Sequence, residues 1–219
     1  MKLLSWLADL LFPPKCVLCG QILERNETDL CHSCRLDAPV FAGKGKSVPF
    51  LSAWTAAWRY EGHVRRSLLR YKFYNARANA EAYGRFLAMR ILRDGLDGFD
   101  ILTWVPVGAK RRRERGYDQV ELVARVLGRE LNVEPVRLLK KVRSNHRQSS
   151  LTGQEARKAN VLGAYAVLPS AAVSGKRILL LDDIMTTGST ISECARVLLT
   201  AGAKEVNGAV VAAASHNGK

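Results

Sequence analysis

Asp182 and Asp183 follow the apolar run Ile178-Leu179-Leu180-Leu181 and precede Ile184-Met185-Thr186-Thr187-Gly188-Ser189-Thr190. A continuous apolar run of this length is typical of a strand covered on both faces in a parallel sheet, so the charges are expected where the sheet ends. Thr, Gly and Ser beyond them let backbone N–H groups converge on an anion, and a helix starting there adds the positive end of its dipole. Carboxylates that accept from hydroxyls, beside amides and hydroxyls that donate to phosphate, suit a sugar phosphate. Neighbouring side chains on a regular strand point to opposite faces, so both carboxylates reach one ligand only if the chain bends. A break in strand geometry is expected at Asp183.

The elements that must position these groups are readable on either side. Ile191, Cys194, Ala195, Leu198 and Leu199 mark one face of a helix that Gly202 ends, and Val206 to Ala213 is a further apolar strand. The result is a βαβ unit, in which ligands bind beyond the carboxyl ends of the strands. Cys194 falls on the apolar face and reads as core. The order of residues resembles the phosphoribosyl pyrophosphate (PRPP) signature of type I phosphoribosyltransferases. That resemblance implies that Asp182 and Asp183 hold the ribose hydroxyls and that Thr186, Thr187, Gly188, Ser189 and Thr190 surround the 5′-phosphate. The competing reading is a surface turn capped by Ser189 or Thr190. P-loop and dinucleotide-binding patterns are absent.

Two basic segments could complete an anion site. Ile101 to Val105 reads as a central strand stopped by Pro106, and Val120, Val123, Ala124, Leu127 and Leu131 mark a helix over Asp118 to Leu131. The loop between them carries Lys110, Arg111 and Arg115, whose charges suit a pyrophosphate, with Gly108 and Gly116 allowing close backbone approach. A solvated basic face is the alternative. The polar stretch from Lys140 to Asn160, including His146, Arg147, Gln148 and Arg157, has few apolar anchors and reads as a flap closing over a site.

Cys16-x2-Cys19 and Cys31-x2-Cys34 form two hooks separated by eleven residues. Four thiolates suit tetrahedral structural Zn²⁺, with iron on the same ligands as the chemical rival and His32 as a substitute ligand. Leu3, Leu4, Leu7, Leu10 and Leu11 mark a short helix ahead of the hooks. Asp9 interrupts the apolar run and no cleavage site follows, which argues against a secretory signal. No run has the length of a bilayer span, and reduced thiols agree with a cytoplasmic address.

The chain has 219 residues, is 47% hydrophobic and carries a net charge of +14, enough for one ordinary domain with a small appendage and basic enough to attract nucleic acid. Lys44, Lys46, Arg65, Arg66, Arg70, Lys72 and Arg77 are candidate phosphate contacts. Trp54, Trp58, Tyr60, Tyr71, Phe73 and Tyr74 are candidate stacking groups, or core.

Together, the hooks after Phe12-Pro13-Pro14, Leu69-Arg70-Tyr71-Lys72-Phe73, Val105-Pro106-Val107, Arg115-Gly116-Tyr117-Asp118-Gln119, Gln148-x2-Leu151, Arg157-x2-Asn160 and the PRPP signature resemble the competence protein F family. The resemblance spans almost the whole chain. It implies an α/β fold, a type I phosphoribosyltransferase-like parallel sheet flanked by helices, with a small N-terminal zinc-binding module. The expected division is residues 1–40 for the module, 41–49 for a linker and 50–219 for the phosphoribosyltransferase-like domain. The implied function is phosphoribosyl transfer from PRPP, with Mg²⁺, to an acceptor during DNA uptake in natural transformation. The alternative is a single-stranded-DNA-binding component of the competence machinery that uses PRPP only as a ligand, with other competence-machinery proteins as partners. The family usually has Asn after the aromatic residue; Asp118 here either caps a helix or weakens an anion site.

Overall fold

The apolar strand pattern is realised as a four-stranded sheet in which every pairing is parallel. In the computed structural model, which describes residues 13–42, 45–143 and 161–214, strands β1 (Trp54–Arg59), β2 (Ile101–Trp104), β5 (Arg177–Met185) and β6 (Glu205–Ala213) lie in the order β1-β6-β5-β2. A second, antiparallel pair joins β3 (Leu139–Lys141) to β4 (Tyr165–Val167), a hairpin the sequence pattern did not reveal because each strand is three residues long. Between them lie helices α1 (His32–Asp37), α2 (Gly62–Phe73), α3 (Asn79–Arg93), α4 (Ala109–Arg115) and α5 (Gln119–Glu130), and α6 (Ser189–Thr200) connects β5 to β6.

Both faces of the sheet are covered, as its unbroken apolar strands require. On one side Leu179 and Leu181 join Tyr71, Tyr83, Leu87, Val123 and Leu127 from α2, α3 and α5. On the other, Ile178 and Leu180 join Leu139 and Tyr165 of the hairpin and Ile191, Cys194 and Leu198 of α6. Cys194 is fully buried there, as its place on the apolar stripe requires.

Two expectations are corrected. The strand does not end at Leu181 but runs through both carboxylates to Met185. Its pairing with β6 proceeds residue by residue to Asp182 opposite Val210, omits the Asp183 level, and resumes in the same register at Ile184 opposite Ala212. The β1–β6 ladder omits the same level at Ala57. Ile184, Ala212 and Trp58 pack on the same side as Leu181, Val211 and Ala57, so the alternation slips in three strands together and the register survives. The break expected at Asp183 is this slip. The loop expected over 107–117 contains helix α4, because a run of Lys, Arg and Glu favours helix and Gly116, at φ +75°, terminates it.

Residues expected to be a linker run along the edge of β1. Arg59 N donates to Pro39 O at 2.7 Å, Phe41 N donates to Ala57 O at 3.2 Å, and Val48 is buried. This cover protects an otherwise open sheet edge.

Helices α3 and α5 approach closely because Gly84 has no side chain: a Cβ there would lie 2.4 Å from Val126 Cγ1 and 3.1 Å from the Leu127 backbone nitrogen. Overpacking costs about 1–3 kcal/mol, more than the roughly 1 kcal/mol that alanine gains over glycine in a helix. Gly84→Ala is therefore expected to lower stability by about 1 kcal/mol in urea unfolding. An unchanged or raised midpoint would show that the helices separate freely.

Candidate functional site

Asp182 and Asp183 are 8% and 6% exposed, and a buried carboxylate needs a cation or several donors. Asp183 has both: Lys72 Nζ donates to Oδ1 at 2.9 Å and Gln119 Nε2 donates to Oδ2 at 3.1 Å. Asp182 Oδ1 accepts the Asp183 backbone N–H at 2.8 Å. Burial, and then the charge of Asp183, push the Asp182 carboxyl up to about 8, with Lys72 opposing. Gln119 Oε1 is buried with no donor among the described residues, leaving an acceptor beside Asp183 for a hydroxyl.

Lys72 reaches this position from the last turn of α2, which further hydrogen bonds fix. Tyr71 OH donates to the Gln119 carbonyl at 2.7 Å, and Tyr117 OH donates to the Tyr71 carbonyl at 2.5 Å. Asp118 caps α5: its Oδ1 accepts from the amides of Val120 and Glu121, and its Oδ2 from Val107 N at 3.1 Å. Three backbone donors thus hold Asp118 as the cap of α5.

On its outer side Lys72 lines an open cavity of about 450 Å³ shared with Phe73, Arg77, Arg111, Arg115 and Tyr117. Arg77 lies over the Tyr117 ring at 4.5 Å and Arg115 over Phe73 at 5.2 Å. Of the cations proposed for pyrophosphate, Arg111 and Arg115 face this cavity, whereas Lys110 is exposed on α4 outside its lining. Lys72 and Arg77 were missed as site residues. Lys72 and Arg77 had been assigned to nucleic acid, and only the tertiary fold brings α2 to the strand end. Gln148 and Arg157, with His146 and Arg147, lie outside the described residues.

At the end of β5, Thr186 and Thr187 lead into Gly188, whose φ of +74° turns the chain into α6. Ser189 and Thr190 form the first turn of that helix. Thr187 Oγ1 and Ser189 Oγ are 2.9 Å apart, and no side chain caps the helix, so its leading amides face the loop. Gly188, not Ser189 or Thr190, is the N-cap, and the Ser189 amide reaches Thr187 Oγ1 only at 3.5 Å.

The four thiols of Cys16, Cys19, Cys31 and Cys34 all lie within 4.8 Å of one another, and Cys19 Sγ is 3.6 Å from Cys31 Sγ. Tetrahedral Zn–S bonds of about 2.3 Å require sulfur–sulfur separations of roughly 3.8 Å, so the set fits zinc and is too wide for disulfides. The first hook closes as a knuckle: Gly20, at φ +84°, donates to Cys16 O at 2.9 Å, and Gln21 N donates to Cys19 Sγ at 3.5 Å. His32 is exposed between Cys31 and Cys34 and is not one of the four. The module is docked through fully buried Leu18, the Ser67 hydroxyl donating to Val17 O, and Arg70 donating to the Val17 and Leu18 carbonyls at 3.2 and 2.8 Å.

These contacts correct the nucleic-acid assignments in part. Arg70 is bound to the module, and Trp58 and Tyr71 are core. Phe73, which lines the cavity, and Tyr74 remain 64% and 77% exposed. Lys44 lies outside the described residues. Among those described, no helix is long and apolar enough to cross a membrane.

Residues 115–219 match the phosphoribosyl transferase domain and residues 7–44 match the double zinc ribbon domain. The chain is 29% identical over 202 residues to the DNA utilization protein YhgH of Escherichia coli K12, covering 87% of this chain and 86% of that one. It is 31% identical over 104 residues to competence protein F of Haemophilus influenzae Rd, covering 47% and 45%. The chain is thus a homologue of proteins named for DNA utilization and competence, with a phosphoribosyl transferase domain behind an N-terminal double zinc ribbon. Another relative, competence protein ComFC of Bacillus subtilis 168, is 26% identical and covers 85% of this chain and 72% of its own. Among solved structures, the glutamine PRPP amidotransferase of B. subtilis complexed with ADP and GMP superposes with a TM-score of 0.41 at 23% identity, over 60% of this chain and 25% of that one. Lys72 and Arg77 lie outside the matched phosphoribosyl transferase residues, although they complete the cavity beside them.

Two outcomes follow from this geometry. Metal analysis is expected to find one zinc per chain, and chelation to lower the melting temperature of the whole chain, because Val17 and Leu18 belong to the main core. Melting unchanged by metal loss would contradict that coupling. Asp182 binds a proton in the folded state up to about pH 8 but loses it near 3.8 when unfolded, so its contribution to stability falls as pH rises between those values. Asp182→Asn is expected to raise stability at pH 8 by at least on the order of 1 kcal/mol and to flatten that decline in melts taken from pH 5 to 8.

Proposed function

We propose that the chain binds PRPP at the carboxyl end of β5 and transfers its phosphoribosyl group to an acceptor with release of pyrophosphate, in the service of DNA uptake. The observation that carries this reading is the convergence of three matched groups on one strand end: a carboxylate pair, an uncapped helix start with hydroxyls, and a cavity lined by Lys72, Arg77, Arg111 and Arg115. Each suits one part of PRPP. The amides at Ser189 and Thr190 suit the 5′-phosphate, Asp182 and Asp183 the ribose hydroxyls, and the guanidinium groups the diphosphate. A phosphoribosyl transferase domain over residues 115–219 and relatives named for competence and DNA utilization support it.

Displacement at the ribose C1 needs no covalent bond to the protein. The charge of Asp183 favours positive charge developing on the sugar, the cavity cations favour the departing pyrophosphate, and the loop fixes the sugar phosphate in line. Hard carboxylate oxygens at the strand end fit Mg²⁺, which would neutralise part of the diphosphate charge.

A second reading, a single-stranded-DNA-binding component that uses PRPP only as a ligand, is favoured by Phe73, exposed beside Arg77 and Arg115, and by the net charge of +14. Calorimetric titration with PRPP and Mg²⁺, followed by an assay of pyrophosphate release, separates the two. Saturable binding is expected in both. On the first, release is lost by about a hundredfold or more in Asp182→Asn/Asp183→Asn while oligonucleotide binding survives. PRPP binding without release for any nitrogen nucleophile would leave the second standing, and no binding of PRPP would remove both.

A further inference from the structure

We propose that Lys72 is a handover residue: it neutralises Asp183 in the ligand-free protein and is transferred to the diphosphate of the incoming substrate, releasing Asp183 for the sugar. The inference rests on the PRPP reading of this site and specifies how the site selects its substrate class, sugar diphosphates over sugar monophosphates.

The Lys72–Asp183 pair is closed at 2.9 Å, with the two side chains 19% and 7% exposed. In this arrangement Asp183 has Lys72 on one oxygen and Gln119 on the other, so half of its acceptor sites are taken and its charge is matched by the ammonium group. The lysine has a different environment on each side. Inward it meets Asp183; outward it lines the cavity with three other cations, Arg77, Arg111 and Arg115, and a single carboxylate, Glu114. Like charges disfavour an ammonium group facing that cavity, which holds Lys72 on the aspartate while the cavity is empty. A diphosphate reverses the balance, because it carries more negative charge than one carboxylate and is attracted by all four cations at once. Lysine suits such an exchange: its point charge sits on a flexible stem and accepts many geometries, whereas a planar guanidinium is committed to a bidentate partner. A ribose monophosphate occupies the helix start but leaves the cavity empty, so the pair stays closed and Asp183 stays engaged.

The test uses inorganic pyrophosphate, which probes the cavity without the sugar, in calorimetry on the full zinc-loaded chain. In the wild type, binding must break the Lys72–Asp183 bond; in Asp183→Asn that charge-assisted bond is gone. The variant is therefore expected to bind pyrophosphate about tenfold tighter. Lys72→Met is expected to bind it more weakly than wild type, and adding Asp183→Asn to Lys72→Met to restore nothing. Equal or weaker pyrophosphate binding in folded Asp183→Asn overturns the handover. A crystal structure of the wild-type complex gives an independent answer if that variant does not fold: Lys72 Nζ is expected on the diphosphate and off Asp183, and an intact pair with bound pyrophosphate overturns it. Binding of PRPP is measured alongside. PRPP bound without the tenfold gain refutes the handover and spares the functional reading, whereas the gain without PRPP binding refutes the functional reading and spares the exchange.

Discussion

Two adjacent carboxylates held inside the end of a parallel sheet must be neutralised or protonated, and much of the surrounding structure follows from how this chain does both. Asp182 faces burial and a neighbouring negative charge, which raise its proton affinity. Asp183 is instead met by Lys72 and Gln119. The backbone slip at this level lets Asp182 take the Asp183 amide, satisfying a donor at the level the β5–β6 ladder omits. The supporting residues form a chain of contacts: Gln119 begins α5, its carbonyl accepts from Tyr71, and the Tyr71 carbonyl accepts from Tyr117, so three segments distant in sequence are tied to one charge pair. Such networks rigidify a site when every member is satisfied, and here Gln119 Oε1 is the member left open.

Helix α2 links this network to the metal module. Ser67 and Arg70 hold the carbonyls of Val17 and Leu18, and just beyond them Tyr71 holds the Gln119 carbonyl and Lys72 holds Asp183 at the strand end. The zinc knuckle therefore does more than fold a small appendage. It fixes the helix whose last turn presents Lys72, and the Arg85 pair with Asp29, at 2.6 Å, anchors the module to α3 as well. Metal binding and the geometry of the carboxylate site are coupled through one rigid element.

Local pattern carried the strands and helices whose periodicity is long: β5, β6, α5 and α6 follow directly from their apolar spacing. The four cysteines were legible because two short hooks leave few alternatives. What sequence did not reveal is where α2 goes. Lys72 and Arg77 read as an ordinary basic helix end, and nothing in a linear pattern distinguishes a cation facing solvent from one facing Asp183. The hairpin β3–β4 was too short to leave a period, and helix α4 was hidden because a run of charged residues between two glycines reads equally as a loop. The carboxylates were placed beyond the sheet on the rule that charge marks a strand's end; a buried lysine from another element overrode that rule.

The same comparison changes the meaning of the net charge of +14. Many arginines are already matched: Arg85 and Arg129 to Glu81, Arg90 to Asp94, Arg125 to Glu121, Arg177 to Asp100 and Arg196 to Glu193. Arg77, Arg111 and Arg115 instead gather with Lys72 in one concave space beside the exposed Phe73. A concave, like-charged site focuses its field more strongly than the same charges spread over a convex surface, and it acts on phosphate in any form. A sugar diphosphate and the backbone of a single strand are thus attracted by the same groups. On the proposed reading, the feature that distinguishes them lies behind the cations, in the Asp183 carboxylate paired with Lys72.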